Sequence, residues 1–249
     1  MHRFFVTPEM IDKDRVIIKG GDVNHIRKVL RLSVGDKITI LDGTGDEYLV
    51  ELNRVTKNEV IGDIVKREKK DTGTLIRIVI GQGIPKGDKM DIIIQKATEL
   101  GVSVLVPIKT ERMIVRIESQ QGAKKIERWR RIAREAARQS VRRTIPEISE
   151  EIIDLQRFCT LYHRCNLKLI LWEEEKEKGL REVLNRDSIS IPMDIAVIIG
   201  PEGGFSKEEI KIAKEFGFIP TGLGSNILRT ETVALTILSI IQFRFGNIG

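Results

Sequence analysis

Cysteine is nearly absent from this chain: Cys159 and Cys165, six positions apart, are the only two in 249 residues. That spacing forms neither a CxxC pair nor a disulfide framework, so a reducing, cytoplasmic setting is expected. Histidine is as scarce. His2, His25 and His163 are scattered, no HExxH or HxE with PCxxC occurs, and no zinc or other metal site is expected. The GxSxG elbow is missing, which leaves hydrolytic triads without support. The loop "GQGIPKGDK" (81–89) fits neither GxGxxG nor GxxxxGK[ST], and Pro85 stands where a backbone donor would be needed, so the usual dinucleotide and P-loop readings fail. The longest apolar runs are too short to span a bilayer, and "MHRFFVTPEM" lacks the apolar centre of a signal peptide. A soluble chain with no membrane partner is expected.

Charge is plentiful and slightly basic, 42 Lys+Arg against 36 Asp+Glu, a balance that suits a polyanionic partner without demonstrating one. Residues 1 to about 67 carry short β-branched runs, "RVIIK", "KITILD", "YLVELNRV" and "EVIGDIVK", separated by "VGD" and "DGTGD" turns. One helical segment interrupts them, "GDVNHIRKVLRL" (21–32), with Asp22 placed to cap and Ile26, Val29 and Leu30 as its apolar stripe. The charged stretch "KREKKDTG" (66–73) then breaks the periodicity. Two domains are expected, a β-rich one over 1–70 and a second over 71–249. In the second, wholly apolar strand runs such as "DIAVIIG" alternate with helical segments, the signature of a mainly parallel sheet covered on both faces. Its class is α/β.

Two glycine-containing loops stand late in the chain. "IGPEGGFSKEE" (199–209) leaves a strand and enters a helix through an S-x-x-E capping box, Ser206 and Glu209, so backbone N–H groups face the glycines. "GLGSNILRTET" (222–232) runs through Arg229 and Glu231 into an apolar helix. Both follow probable strands and would share the sheet edge where ligands bind in α/β folds. On spacing alone, the glycines could equally serve tight turns, with Arg229 and Glu231 as a surface pair. Between Ser119 and Arg143, nine basic residues stand against two acids. Ile126, Trp129, Ala133, Ala136, Ala137 and Val141 make the expected buried stripe of a helix over 119–143, which turns its arginines outward. Arginine's planar fork suits phosphate, so nucleic-acid contact competes with a merely solvated face.

The chain resembles the bacterial 16S rRNA uridine-N3 methyltransferase family, a branch of the SPOUT superfamily. The resemblance rests on "HRFFV" (2–6), "HIRKVLR" (25–31), "KGDKMDIIIQKATELGV" (86–102), "RWRRIAREAARQSVRRTIPEI" (128–148), "IGPEGGFSKEEI" (199–210) and "LGSNILRTETVAL" (223–235). Val233 departs from it, since the family is expected to carry alanine there.

The resemblance implies a PUA-like small β-barrel followed by a SPOUT domain whose C-terminal segment forms a trefoil knot. It implies S-adenosyl-L-methionine as cofactor and S-adenosyl-L-homocysteine as product, with the cofactor held by Leu171, Trp172 and Glu173, by Ile199, Gly200, Pro201 and Gly203, and by Leu223, Gly224, Ser225, Asn226, Ile227 and Leu228. The expected reaction is methylation of N3 of a uridine in 16S rRNA of the small ribosomal subunit. Arg229 would stabilise developing charge, Glu231 would position it or take the proton, and Glu202 is the second candidate base. Arg3, Arg27, Lys28, Arg31, Arg134, Arg138, Arg142 and Arg143 are the expected RNA contacts, with Phe4 and Phe5 considered for stacking and His25 for a surface or capping role. A homodimer is expected. The alternatives are a non-catalytic ribosome-assembly protein on the same scaffold, or a SPOUT enzyme acting on another RNA.

Overall fold

A computed structural model describes residues 2–69, 76–113, 119–185, 193–246 and 248. Part of the expected domain junction at 66–73 therefore lies outside the described residues. The chain divides into two compact units, Met1–Thr72 with Ala137–Ile145, and Gly73–Ala136 with Pro146–Gly249. The division read from the sequence has no place for the return of 137–145 to the first unit.

In the first unit, six strands order as β1 (Arg3–Phe5), β4 (Lys37–Leu41), β5 (Glu47–Val55), β6 (Glu59–Glu68), β3 (Arg15–Lys19) and β2 (Ile11–Asp12). The β1–β4 pair is parallel and the rest are antiparallel. Alternation places Val16 and Ile18 inward on β3 and Ile38 and Ile40 inward on β4, where they pack with Phe4, Val50 and Leu52. The Asp42 carboxylate closes the β4–β5 turn by accepting from the N–H groups of Thr44, Gly45 and Asp46.

The helical segment at 21–32 differs from the expectation. One α-turn, α1 (Gly21–Asn24), runs directly into a π-helical turn, His25–Val29. Gly20, not Asp22, takes the N-cap position. The wider π register keeps Val23 and Ile26 buried but turns Val29 out, leaving it 66% exposed.

The second unit is a parallel sheet ordered β10 (Ile153–Asp154), β8 (Val104–Lys109), β7 (Ile76–Gly83), β12 (Met193–Ile199), β11 (Leu167–Leu171) and β13 (Ile219–Thr221), with β9 (Glu147–Ile148) also on β8. Its central strands are apolar along most of their length because both faces are covered, with polar residues such as Arg77, Lys168 and Asp194 kept near strand ends or edges. Ile195, Val197 and Ile199 of β12 pack on one side with α2 (Lys89–Glu99), α3 (Ser119–Gln139), α5 (Leu180–Leu184) and α7 (Thr230–Phe245). Ala196 and Ile198 face the other side, with α4 (Leu155–Tyr162) and α6 (Lys207–Glu215). The class is α/β, as read from those runs. Among the described residues, no helix is long and apolar enough to cross a membrane.

Helix α3 buries Ile126, Trp129, Ala133, Ala136 and Ala137 as its spacing requires. It stops at Gln139, short of the expected 143, because Val141 enters the left-handed region at φ 60° and turns its side chain out. From there the chain joins the β4–β5 turn, with Ile145 N–H donating to the Gly43 carbonyl. The expectation that every arginine of this stretch points outward fails at its end. Arg142 is half-buried, and the desolvation pushes its guanidinium down to about 10, while Arg143, also half-buried, pairs with Glu47 and Glu68.

Candidate active site

Three neighbouring strands, β12, β11 and β13, end at the same edge of the sheet, so the loops that follow them converge. Backbone hydrogen bonds lace two of these loops. Trp172 N–H donates to the Thr221 carbonyl, Gly222 N–H to that of Lys178, and Leu180 N–H to that of Gly222. This approach needs a glycine at 222, since a Cβ there would lie 2.4 Å from the Glu175 carbonyl oxygen. The third loop is tied in by Thr230, whose hydroxyl donates to the Gly200 carbonyl at 2.7 Å and accepts from the Gln82 amide at 3.0 Å. Beyond it, the S-x-x-E capping box forms as spaced: Ser206 and Glu209 exchange hydrogen bonds, and Glu209 also accepts from the Glu111 N–H.

The loops enclose a cavity of about 310 Å³. Leu171, Trp172, Glu173, Gly200, Pro201 and all six residues from Leu223 to Leu228 line it. Ile199 and Gly203 do not: Ile199 is a buried strand end, and Gly203 is exposed with its carbonyl toward Arg112. Gly204, Thr221, Gly222, Thr230 and Val233 complete the wall. No described residue accepts a hydrogen bond from the backbone N–H groups of 224–228. The Trp172 indole N–H is likewise buried with no acceptor. The wall therefore offers backbone donors without an acceptor among the described residues, and the buried Trp172 N–H, beside apolar side chains, suiting a ligand with polar edges and an apolar body.

Of the three catalytic candidates, Arg229 and Glu202 line the cavity, and Glu231 does not. Arg229 sits exposed at the N-cap of α7 and forms no ion pair with any described residue. Lys89 links the two acids, with Nζ 2.7 Å from Glu202 Oε1 and 3.8 Å from Glu231 Oε2. Burial pushes the Glu202 carboxyl up. The Lys89 hydrogen bond, its own backbone N–H and that of Lys86 outweigh this and hold the carboxyl below the usual range. Lys89 is raised mainly by its hydrogen bond to Glu202. Glu231 Oε2 is buried and accepts no hydrogen bond from any described residue. Sequence reasoning missed Lys89, Gln82 and Thr230, which stand in "KGDKMD", "GQG" and "RTET" without forming a motif of known spacing.

The expected RNA contacts all lie outside this cavity. Lys28, Arg31 and Arg134 are exposed, Arg27 and Arg138 half-buried, and Arg3 lies 3.7 Å from Glu47. Phe4 is buried in the first unit's core, and Phe5 is half-buried. Among the described residues, no cluster of His, Cys, Asp and Glu could hold a metal.

A model of the RNA methyltransferase domain matches residues 73–242, and one of the RNA methyltransferase PUA domain matches 18–65. The parallel sheet with its C-terminal loop cavity, joined to a PUA-like β unit, is that of an RNA methyltransferase. The chain is 33% identical to ribosomal RNA small subunit methyltransferase E of Bacillus subtilis, over 98% of this chain and 97% of that one. The Aquifex aeolicus protein of the same name is 34% identical, covering 91% of this chain and 93% of its own. Among solved structures, a Legionella pneumophila protein with bound SAM superposes with TM-score 0.85 at 34% identity, covering 99% and 98% of the two chains. The Neisseria gonorrhoeae methyltransferase E bound to S-adenosyl methionine gives 0.83 at 30%, covering 98% and 97%. The chain belongs to the ribosomal RNA small subunit methyltransferase E family.

Proposed function

We propose that the chain transfers a methyl group from S-adenosyl-L-methionine to N3 of a uridine in 16S rRNA of the small ribosomal subunit. The observation that carries this reading is the laced cavity, where the backbone N–H groups of 224–228, the buried Trp172 N–H and the Arg229 guanidinium have no partner among the described residues. Leu171 to Glu173, Gly200, Pro201 and Leu223 to Leu228 would hold the cofactor, which supplies an electrophilic methyl group when bound.

Removing the N3 proton of uracil leaves negative charge on the flanking carbonyl oxygens. A guanidinium at Arg229, on the rim of the cavity, would lower that charge's energy once the bound base and cofactor cover it. Glu202 is the catalytic carboxylate candidate that lines the cavity, and it is ionised at neutral pH and so able to accept the N3 proton, although the contacts from Lys89 and Lys86 that lower its pKa also weaken it as a base. Glu231, behind Lys89, holds that lysine from the other side. This places Glu202 ahead of Glu231 as base, on geometry first. Exposed Lys28, Arg31 and Arg134 are the phosphate contacts, whereas Arg142 and Arg143 serve the first unit's own packing. A homodimer would cover the exposed Ile240 and Phe243 of α7. The lacing of 172–180 to 221–222 supports the proposed knot.

The test is transfer of labelled methyl from S-adenosylmethionine to small subunits lacking the modification, with stripped 16S rRNA alongside and the product nucleoside identified. N3-methyluridine in either substrate is the expected product. Cofactor binding without transfer to either would overturn the substrate and leave a non-catalytic scaffold. With the wild type active, Arg229→Lys should lower turnover on the order of a hundredfold while cofactor affinity holds. Unchanged turnover would remove Arg229 from the chemistry.

A further inference from the structure

The first unit contains a second cavity, of about 480 Å³, that shares no residue with the one described above. It lies where three distant stretches meet: His2 to Phe4 at β1, His25 and Leu30 around the π-turn, and Arg138 to Val141 at the end of α3. Two guanidinium groups and two imidazoles line it, and no carboxylate does. Arg3 is held only by long contacts, 3.7 Å to Glu47 and 3.5 Å to the Val141 carbonyl, which a stronger anionic partner would replace. The Phe4 ring meets His25 nearly edge-on, centroids 6.0 Å apart, and so fixes the plane of the imidazole.

The backbone around this cavity is unusual at two independent places. His25 opens a π-helical turn inside an otherwise α-helical segment, an irregularity common at functional sites. Val141, on the opposite wall, is β-branched yet stands at φ 60°, a strained conformation that packing elsewhere must sustain. His25 and Val141 themselves line the opening, together with Arg138 from the last turn of α3.

We propose that this cavity is a nucleotide subsite that takes one unstacked residue of single-stranded RNA, its phosphate toward Arg3 and Arg138 and its base beside His25. The inference rests on reading the chain as an RNA-modifying enzyme and gives the first unit a defined recognition task. A base is sequestered by stacking on a fixed ring, and a phosphate by forked guanidinium groups.

The experiment uses the full chain, a fluorescein-labelled single-stranded hexaribonucleotide and, as competitors, inorganic phosphate and uridine monophosphate. His25→Ala and Arg138→Gln should each weaken hexamer binding on the order of tenfold, with cofactor affinity by calorimetry unchanged. Arg138→Gln should also lower the salt slope of binding by about one, and His25→Ala should leave that slope alone. Should His25→Ala fail to fold, His2→Ala at an exposed position supplies the same reading. Wild-type hexamer affinity in folded variants at both positions would overturn the subsite, as would inorganic phosphate competing as well as the nucleotide. Loss of methyl transfer in the wild type, with the variant effects intact, would instead overturn the reaction and leave the subsite standing.

Discussion

Nothing in its sequence stretch assigns Lys89 a role, yet it connects the two proposed catalytic acids, Glu202 and Glu231. Two opposite shifts define the pH range over which it matters. The Glu202 carboxyl is lowered from near 4.5, so its contribution is present above that value and is lost as pH falls through the lower folded value. Lys89 is raised from near 10.5, so its contribution is present below that value and is lost as pH rises through the higher folded one. The pair therefore supports the fold across neutral pH. Lys89→Met should lower the melting temperature at pH 7, and the gap from wild type should close as pH drops below about 4.5. The same variant releases Glu202 from its strongest lowering contact, so the acid limb of kcat/KM should move to higher pH. A pH profile that keeps its shape in Lys89→Met would show that Glu202 is not the titrating base. None of this was readable from residue order, because Lys89 stands more than 110 positions before Glu202 and only the sheet brings them together.

At the scale of elements, local chemistry and long-range contact divide the work around α6 and β13. Ser206 caps α6 through the Glu209 N–H, and a cap of this kind contributes about 1 kcal/mol. Ser206→Ala should cost about that much in denaturant unfolding, with the slope of the transition unchanged. A full loss of cooperativity would mean that the box does more than cap. Gly222 is a different kind of glycine, since its φ is ordinary and the demand comes from the Glu175 carbonyl at 2.4 Å from a would-be Cβ. Gly222→Ala should therefore unlace the loops, weakening cofactor binding measured by calorimetry at least tenfold, the effect of about 1.4 kcal/mol. Wild-type affinity in that variant would mean that the lacing does not shape the cavity. The capping box was legible from four consecutive positions. The steric role of Gly222 was not, because its partner lies 47 positions away on another loop.

For the molecule as a whole, the exposed apolar residues of α7 bear on assembly. Phe243 is 72% exposed and Ile240 also reaches solvent, an expensive arrangement for a lone chain unless another surface covers them. Phe243→Asp should shift the mass in sedimentation from dimer toward monomer with little change in melting temperature. A wild type that sediments as a monomer at micromolar concentration would remove the proposed dimer.

Apolar runs buried on both faces announced a parallel α/β sheet, because a strand covered on two sides has few positions for a polar residue, and the exception, Gln82 on β7, is buried with a hydrogen bond to Thr230. Glycine loops after strands marked where ligands gather, and the S-x-x-E spacing marked the start of α6, since both follow from backbone geometry over a few residues. Other features were settled only in three dimensions. The π-turn at His25 and the left-handed Val141 displaced the expected stripes, because tertiary packing outweighs helix periodicity where a short segment must meet a neighbour. Arg142 and Arg143, which looked like freely solvated charge, are half-buried, and Arg143 is engaged by Glu47 and Glu68 of the first unit. The Lys89 bridge and the cavity between the loops after β11, β12 and β13 arise from strand order, and the second cavity from the meeting of β1, the π-turn and the end of α3. Sequence spacing determines which side chains share a face, but only the folded chain determines which faces meet.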